Sequence, residues 1–412
     1  MAVRERRALV VVGGGLAGLA ASIEARRAGL ETLLIEQRAA VRGPRPLVVD
    51  ARDTGADIRE NTACWGIWGH EVAVCEANRP SQVVVADQVI LATGAYERPV
   101  AFPGWTLPGV MTAGGAVRLL EQAVAPGQRV LVAGYGEWAA STAAELRAGG
   151  VNVIDVVDAS AREPRIVVRA EGDTALRAVR VAGVDDEWCP TPGTESEVDV
   201  DVLVLAYGKL PENQLARLAG CAYQDSAFLD PRAVCDGWMR SSLPGVFVAG
   251  DAAGVVGPAA AVEQGRLAGL AAAVDAGLLT PSEAEARAAP ARSRLASAVA
   301  MQAPRTGILG LAQPDTVVCR CEDVTAADIT ARVFEGSLEP GPVIAETRAG
   351  MGSCQGRNCL SQVAGVISRH VGQPIQRIPP VTARPPVVPV AVGALAARPP
   401  LFEPVTDAGE AD

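Results

Sequence analysis

The chain has 412 residues, which suits two or three domains and excludes a single small module. Acidic residues outnumber Lys and Arg by 47 to 37, and the net charge of −10 argues against nucleic acid or anionic membranes as partners. Lys209 is the only lysine, and His70 and His370 are the only histidines, so Schiff-base and histidine acid–base chemistry have few candidates. We therefore expect bound cofactors to carry any chemistry.

The N-terminal segment looks like an export signal, because Arg6 and Arg7 precede an apolar run. The glycines of this run, however, stand where a nucleotide-binding turn needs them, so we interpret the run as part of a folded domain. The 9 cysteines lack a secretory framework and are expected to be reduced. No other stretch reaches the length of a membrane span. These features predict a cytoplasmic protein without a membrane span.

The first predicted unit is a strand, a glycine-rich turn, a helix and a second strand. Gly13 allows a tight turn, Gly15 lets the backbone approach a pyrophosphate, and Gly18 allows close packing of helix on strand. Glu36 follows the second strand and can accept hydrogen bonds from a ribose. This order of elements predicts a dinucleotide site rather than a merely structural turn. The strands are predicted at residues 8–12 and 32–35 and the helix at residues 16–28.

Two later strands, at residues 89–93 and 246–249, run into short polar motifs. The first leads into Thr93 and Gly94, and the second into Gly250 and Asp251. Both motifs resemble those of flavoproteins with two dinucleotide-binding domains, in which the aspartate binds the ribityl chain of FAD. The alternative is that Asp251 is an ordinary turn or helix cap. A helix that begins at Pro258 would direct its positive end toward a reduced flavin.

A second strand–turn–helix–strand pattern covers residues 129–158. It has the shape of an NAD(P)-type domain inserted into an FAD domain, and the return to the FAD half is predicted near residues 236–246. Tyr135, Glu137 and Trp138 crowd the turn where a pyrophosphate would need space. The sequence therefore leaves open whether this unit binds NAD(P) or another nucleotide, or is a structural relic.

Four cysteines form two close pairs, Cys319 with Cys321 and Cys354 with Cys359. Four thiolates in such pairs suit iron or zinc sites. The spacing resembles that of the small [2Fe-2S] domain of bacterioferritin-associated ferredoxin. We therefore favour a [2Fe-2S] cluster over zinc and over cysteines without a ligand role.

The residues around these pairs support the same prediction. Thr325 is expected to cap a helix at residues 325–334, between the two pairs. Three nearby cations would offset the negative charge of four thiolates. They are Arg320, Arg348 and Arg357.

The most specific signals are the run ATGAYERPVAFPGWTLPGVMTAGGA at residues 92–116, VCRCEDVT from Val318, and RAGMGSCQGRNC ending at Cys359. Together they resemble the alpha-type subunits of heteromeric bacterial amino and imino acid dehydrogenases: opine oxidases, D-hydroxyproline dehydrogenase, hydrogen cyanide synthase and dye-linked proline dehydrogenase. The resemblance extends over residues 8–397. It implies an α/β fold, in which a Rossmann-like FAD domain carries an inserted NAD(P)-type domain and is followed by a small C-terminal bacterioferritin-associated-ferredoxin-like [2Fe-2S] domain.

The resemblance also implies that this subunit holds FAD and a [2Fe-2S] cluster, while a D-amino-acid-oxidase-like flavoprotein oxidises the substrate. A hetero-oligomer is therefore expected, and the same expectation includes an FMN at an interface between chains and a third small subunit. No catalytic residue is predicted in this chain. The expected FAD contacts are Gly13, Gly15, Leu16, Ala17, Gly18, Glu36, Gln37, Thr93, Gly94, Gly250 and Asp251, and the expected cluster ligands are Cys319, Cys321, Cys354 and Cys359.

The sequence departs from this family in one place. Only residues 37–60 separate the ribose acid from the next predicted strand, and they lack the glycine-rich GGQ-type turn of the relatives. That segment normally lies along the flavin, so its shortening leaves open how tightly FAD binds.

The predicted function is electron transfer within an amino or imino acid dehydrogenase or oxidase. Two alternatives remain: a stand-alone NAD(P)H-dependent flavoprotein reductase, and a scaffold or regulatory subunit that keeps the cluster but has lost FAD. The proline-rich tail is expected to run extended, over a partner's surface or over its own chain, or to be disordered. The predicted domains are 1–115 and 236–280 (FAD domain), 116–235 (inserted domain), 281–314 (helical connector and linker), 315–372 ([2Fe-2S] domain) and 373–412 (tail).

Overall fold

The structure is a computed structural model, and it describes residues 5–224, 231–298, 303–333 and 338–396. The last residue of the helix predicted at 325–334 and the tail beyond residue 396 lie outside this range. In chain order the strands are β1 (Glu5–Val12), β2 (Thr32–Ile35), β3 (Asp57–Arg59), β4 (Thr62–Trp68), β5 (Glu71–Glu76), β6 (Gln82–Leu91), β7 (Ala95–Glu97), β8 (Val110–Thr112), β9 (Val130–Gly134), β10 (Val153–Asp158), β11 (Arg165–Glu171), β12 (Ala178–Gly183), β13 (Ser196–Asp199), β14 (Val202–Ala206), β15 (Lys209–Pro211), β16 (Tyr223–Gln224), β17 (Arg232–Ala233), β18 (Val246–Val248), β19 (Val317–Cys319) and β20 (Val324–Thr325).

Helices cover both dinucleotide-type folds and also occur in the C-terminal region. They are α1 (Leu16–Arg27), α2 (Arg45–Asp53), α3 (Ala113–Glu121), α4 (Gly136–Ala148), α5 (Gln214–Ala219), α6 (Pro258–Asp275), α7 (Pro281–Ala296), α8 (Ala326–Thr330), α9 (Pro340–Thr347), α10 (Leu360–Val371) and α11 (Val392–Ala396). No helix in the described part of the chain is both long and apolar enough to cross a membrane.

The first sheet has the order β3-β2-β1-β6-β5-β4, and β18 pairs with the C-terminal half of β6. β3, β2, β1, β6 and β18 are parallel, whereas β4 and β5 form an antiparallel meander. α1 and α6 pack closely against each other, because α6 has glycine where a side chain would collide. A Cβ added at Gly265 would lie 2.1 Å from the carbonyl oxygen of Ala17. The two pieces of the predicted FAD domain thus form one fold, although the inserted segment separates them in sequence.

The inserted segment forms a second parallel sheet of order β10-β9-β14-β8, with α3 and α4 against it, and a separate antiparallel meander of β11, β12 and β13. β8 belongs to this sheet although it precedes residue 116. α5 lies before residue 236, yet Leu215 and Ala216 belong to the core of the first fold. The chain therefore crosses between the folds near β8 on the way in and before α5 on the way back.

The C-terminal region packs on the inserted fold. Cys319, Cys359 and Val363 share one buried core with Phe102 and Leu131. The helix predicted at 325–334 is present as the short α8, capped by Thr325 as expected. It ends at Thr330, whose hydroxyl donates to the carbonyl of Ala327 at 3.0 Å.

The described part of the tail returns to the first fold and runs across its antiparallel meander. Val387 donates its N–H to the carbonyl of Trp65 at 2.9 Å, and Ser81 donates its N–H to the carbonyl of Ala394 at 2.9 Å. Between residues 381 and 396, only the five residues of α11 are helical. The sequence left open whether the tail contacts a partner, its own chain or nothing. Residues 381–394 contact their own chain.

Candidate functional site

Four parallel strands of the first fold end at one level. Val12 pairs with Ile35 on one side and with Leu91 on the other, and Leu91 pairs with Val248. Ligands of open α/β sheets bind outside the carboxyl ends of such strands. The loops after these strands carry the residues that the sequence predicts to bind FAD, so the fold brings them to a single edge.

The glycine-rich turn after β1 depends on very close backbone contacts. Gly13 has φ +109°, and a Cβ added there would lie 2.3 Å from the carbonyl oxygen of Ala92. Gly15 is the N-cap of α1, where no side chain caps the helix, and a Cβ added at Gly15 meets nothing within 4 Å. Leu16 and Ala17 begin the helix, and Ala17 is buried. The free N–H groups of α1 therefore face open space, which suits a pyrophosphate.

Glu36 is buried, with 5% of its surface exposed, at the tip of β2. One carboxylate oxygen accepts the N–H of Gly14 at 2.8 Å, and the other accepts the N–H of Arg38 at 2.8 Å. Each oxygen keeps a further lone pair for a ribose hydroxyl. Gln37 is exposed and lines an open cleft of about 530 Å³, to which the tail contributes Ala394.

The loop after β6 is fastened to the strand pair that connects the two folds. The hydroxyl of Thr93 donates to the carbonyl of Glu212, and the N–H of Glu212 donates to the carbonyl of Gly94 at 2.9 Å. Glu212 directly follows β15, which pairs with β7. Thr93 thus uses its hydroxyl to hold the loop, and its backbone remains for a ligand.

Asp251 lies in a 3-10 turn after β18. Its Oδ1 accepts the N–H groups of Val256 at 3.0 Å and of Gly257 at 3.2 Å, while Gly250 donates its N–H to Gln264 at 3.0 Å. Asp251 therefore caps a turn, which is the alternative role considered for it from the sequence. One carboxylate oxygen holds the loop before α6, which leaves Oδ2 for a hydroxyl-bearing ligand.

The four predicted cluster cysteines come together in two contacting pairs that differ from the sequence pairs: Cys319 with Cys359, and Cys321 with Cys354. Cys319 and Cys359 are buried, whereas Cys321 is exposed. The hydrogen bond with Cys359 lowers the pKa of Cys319 to about 5, and the same contact raises the pKa of Cys359. The contact between the two sulfurs therefore shifts their pKa values in opposite directions.

Backbone N–H groups surround these sulfurs. Those of Gly350, Glu322 and Cys321 hydrogen-bond to Cys319, and those of Asn358 and Gly356 to Cys354. Such bonds favour thiolate over thiol and stabilise the charge of metal-bound sulfur. Within residues 5–224, 231–298, 303–333 and 338–396, no three His, Cys, Asp or Glu side chains are grouped closely enough to hold a metal ion.

The three arginines expected to offset thiolate charge have other partners. Arg357 forms an ion pair with Glu212, and Arg348 pairs with Glu322 at 2.8 Å. The third, Arg320, lies over the ring of Trp105 at 5.4 Å. Since two of the cations are already neutralised, the hydrogen bonds from the backbone are the larger support for the sulfurs.

In the second unit, the residues of the turn after β9 make contacts with other residues of the same unit. Tyr135 is 2% exposed and its ring lies 5.1 Å from that of Trp188. The N–H of Gly136, at the start of α4, donates to Asp158 at 3.0 Å. A cleft of about 630 Å³ lies beside this turn, between the two folds, with Arg42 on one wall and Trp138 on the other. The N–H of Gly136, which a pyrophosphate would use at the start of α4, is therefore already paired within the chain.

Sequence reasoning missed Glu212, which contacts both the loop after β6 and the cysteine region. It also missed Gln362, which is 2% exposed and joins α10 to the inserted fold by donating to the carbonyl of Pro99 at 2.8 Å and accepting the N–H of Ala101 at 3.3 Å. The only local sign for Glu212 was its place a short distance after the buried strand at residues 202–206.

Comparison with known proteins agrees with this geometry. The family model described as pyridine nucleotide-disulphide oxidoreductase matches residues 7–277, and the sarcosine oxidase A3 domain matches residues 313–399. Hydrogen cyanide synthase subunit HcnB of Pseudomonas aeruginosa is 32% identical, covering 88% of this chain and 93% of its own. An opine oxidase subunit of Rhizobium meliloti is 29% identical, covering 96% of this chain and 88% of its own.

Two further relatives extend the comparison. The sarcosine oxidase alpha subunit of Rhizobium meliloti is 28% identical over 94% of this chain, which spans only 42% of that longer protein. Among solved structures, L-proline dehydrogenase from P. horikoshii has a TM-score of 0.78 at 25% identity, covering 95% of this chain and 80% of that chain.

The fold and the comparisons thus define a Rossmann-type flavoprotein oxidoreductase of the pyridine nucleotide-disulphide class. Within this class, the chain belongs to the family that contains hydrogen cyanide synthase subunit HcnB together with opine oxidase and sarcosine oxidase subunits. The resemblance inferred from the sequence motifs is confirmed, and so is the α/β fold with two dinucleotide-type units.

Proposed function

We propose that this chain is the FAD- and [2Fe-2S]-binding electron-transfer subunit of a heteromeric amino or imino acid dehydrogenase or oxidase. The observation that carries the proposal is that a dinucleotide-type edge and four paired cysteines occur on one chain and are joined by the Glu212–Arg357 ion pair. FAD exchanges two electrons and a [2Fe-2S] cluster exchanges one, so together they connect two-electron substrate oxidation with a one-electron acceptor.

The FAD contacts that we propose follow from the first fold. The N-terminus of α1 would hold the pyrophosphate, with Gly15 leaving the space for it, and Glu36 would accept the ribose hydroxyls. Asp251 would orient the ribityl chain with its second oxygen. The chain's own groups therefore bind and orient the cofactor, and the short segment 37–60 contributes through Arg38, whose N–H holds Glu36 in place.

The cluster proposal rests on how the sulfurs are paired. Cys321 and Cys354 also lie near enough to Cys359 to raise its pKa, so the four sulfurs share one region. Two contacting pairs, each supplied with backbone N–H donors, are consistent with a two-iron cluster that takes two cysteines at each iron. We propose Cys319, Cys321, Cys354 and Cys359 as its ligands.

The proposed partner is a D-amino-acid-oxidase-like flavoprotein that oxidises a CH–NH or CH–NH₂ donor in the cytoplasm. Support comes from the relatives, which are named as subunits of hydrogen cyanide synthase, opine oxidase and sarcosine oxidase. The same proposal includes an FMN at an interface between chains and a third small subunit. The hydrogen bond of the Gly136 N–H to Asp158 disfavours the stand-alone NAD(P)H reductase, and the open N-terminus of α1 disfavours a scaffold that has lost FAD.

The test is to express the chain together with a D-amino-acid-oxidase-like flavoprotein from the same organism, purify the complex and assay its flavin, iron and sulfide. We expect one FAD and two irons per chain, and reduction of an artificial acceptor by amino or imino acids. A complex with full flavin and iron that oxidises no amino or imino acid would overturn the assignment of donor class. A complex without iron would overturn the cluster.

A further inference from the structure

Arg357 uses its three donor nitrogens on three separate parts of the chain. Its Nε donates to the carboxylate of Glu212, Nη1 donates to the carbonyl of Cys354 at 3.2 Å, and Nη2 donates to the carbonyl of Val387 at 3.2 Å. One guanidinium therefore contacts the segment between the two folds, the loop of a predicted cluster ligand, and the tail.

Glu212 extends this link to the flavin side. Its N–H donates to the carbonyl of Gly94, and its carbonyl accepts the hydroxyl of Thr93. Glu212 and Arg357 are each only about one-fifth exposed, with side-chain exposures of 18% and 20%. Water therefore competes weakly for their hydrogen bonds, and the pair is a stronger link than an exposed ion pair.

Planar guanidinium geometry is needed for these contacts. A lysine at position 357 would keep the charge, but its single nitrogen cannot reach three acceptors that lie in different directions. The contacts are specific to this arginine, since Arg348 has the same charge and is also close to the cysteines, yet pairs with Glu322 of the cysteine region itself.

We propose that Glu212 and Arg357 are positioning residues that hold the loop of Cys354, the predicted flavin loop at Thr93 and Gly94, and the tail at Val387 as one rigid unit. The pair fixes the separation between the flavin edge and the cluster cysteines, and thereby the rate at which electrons pass between them. The electron-transfer part of this inference rests on the proposed function, whereas the coupling of the three segments does not.

The first experiment measures backbone hydrogen exchange by mass spectrometry on the full chain. In R357Q and R357K, we expect exchange to rise by roughly tenfold in all three segments, residues 93–97, 352–359 and 384–394. E212Q should affect the same three segments. The matched control R348Q should change only the peptides around residues 320–323 and 346–352. Faster exchange in R357Q confined to residues 352–359 would overturn the coupling, because a purely local role predicts that result.

The second experiment follows electron passage from flavin to cluster in the purified complex by stopped-flow absorbance, with flavin and iron contents measured for each variant. At unchanged contents, R357K and E212Q should slow this step by roughly tenfold or more, while R332Q, which removes only the exposed pair with Glu346, should leave it unchanged. Equal rates in wild type and both variants would overturn the positioning role. If R357Q does not fold, R357K and E212Q still decide the outcome. If wild type holds no cluster, the proposed function fails, and the exchange experiment alone tests the coupling.

Discussion

Gly18 lies directly against the backbone of Gly13: a Cβ added at Gly18 would be 1.8 Å from the carbonyl oxygen of Gly13. This contact seats α1 on the turn after β1, so the turn and the helix can only form together. Gly15, only three positions earlier, faces open space. The same motif thus contains one glycine required by packing and one that packing does not require.

The first prediction separates these two roles. Gly18→Ala should lower the free energy of unfolding by about 2 kcal/mol or more, because the added methyl group collides with backbone. Gly15→Ala should change stability by less than about 1 kcal/mol, since its backbone is extended and the methyl group meets nothing. Urea unfolding measures both effects.

Cofactor binding should separate the two variants in the opposite way. Gly15→Ala should weaken FAD binding by roughly tenfold or more, because the methyl group enters the space in front of the N-terminus of α1. FAD content after dialysis is the measurement. Full FAD retention in Gly15→Ala would place the pyrophosphate elsewhere.

The second prediction concerns Glu36. Gln at this position would turn an NH₂ group toward either Gly14 or Arg38, both of which donate hydrogen bonds to Glu36 now. We expect Glu36→Gln to lower stability by about 1–3 kcal/mol and to reduce FAD content. An exposed carboxylate, Glu121, offers the control as Glu121→Gln. Unchanged stability in Glu36→Gln would contradict the assigned contacts.

The third prediction concerns the cysteines. Serine at any one of Cys319, Cys321, Cys354 or Cys359 should reduce bound iron and sulfide to below roughly one-tenth of wild type, because each thiolate supplies a metal bond that serine replaces poorly. Cys189→Ser, an exposed cysteine outside the group, should keep the full amount. Iron loss in Cys189→Ser, or zinc in place of iron in wild type, would count against the assignment.

The fourth prediction is that NADH and NADPH do not reduce the bound flavin within minutes under anaerobic conditions. Asp158 already accepts the N–H of Gly136, which a nicotinamide dinucleotide would need for its pyrophosphate. The measurement is the flavin absorbance after mixing, with dithionite as the positive control. Rapid bleaching by either nucleotide would restore the stand-alone reductase as the better function.

The fifth prediction is a pH dependence from Glu5. Hydrogen bonds from Arg59 and Arg7 lower the pKa of Glu5 from 4.5 to about 2. Because the pKa is lowered in the folded state, the stabilisation is present above pH 4.5 and is lost as the pH falls toward 2. The group is partly exposed, so solvent screening limits the effect to about 1 kcal/mol.

The matching variant is Glu5→Gln. It should cost about 1 kcal/mol at neutral pH and almost nothing near the lower end of that window, as measured by urea unfolding at both pH values. Glu285→Gln breaks an exposed pair with Arg292 and should have little effect at either pH. An equal loss at both pH values would show that Glu5 acts through packing rather than charge.

Local patterns sufficed to predict the first dinucleotide unit. Gly13, Gly15 and Glu36 are close in sequence, and the strand, turn and helix that carry them follow the periodicities of their segments. The relation of Asp251 to the same edge was predictable from its position after an apolar strand. The four cysteines were recognisable as a group because they form two pairs that are close in sequence. The pairs that make contact in the structure, Cys319 with Cys359 and Cys321 with Cys354, could not be predicted in this way.

Contacts between residues that are far apart in sequence could not be predicted. Arg357 was expected to face thiolates, yet its carboxylate partner Glu212 is far away in sequence and meets it only once the cysteine region packs on the inserted fold. The prolines of the tail predicted an extended path and gave no information on its destination, because an extended backbone can pair with any free carbonyl. The partner of Val387 is set by the three-dimensional position of β4.

The tail contact with Trp65 has a consequence for synthesis on the ribosome. The carbonyl of Trp65 belongs to the first fold and is made early, whereas its donor Val387 is made after the inserted fold and the cysteine region. The nascent first fold therefore emerges with one face of its meander uncovered, and that face is closed only when the tail arrives. The hydrogen bond to the carbonyl of Trp65 can therefore form only after residue 387 has been made, and until then water is the partner of that carbonyl.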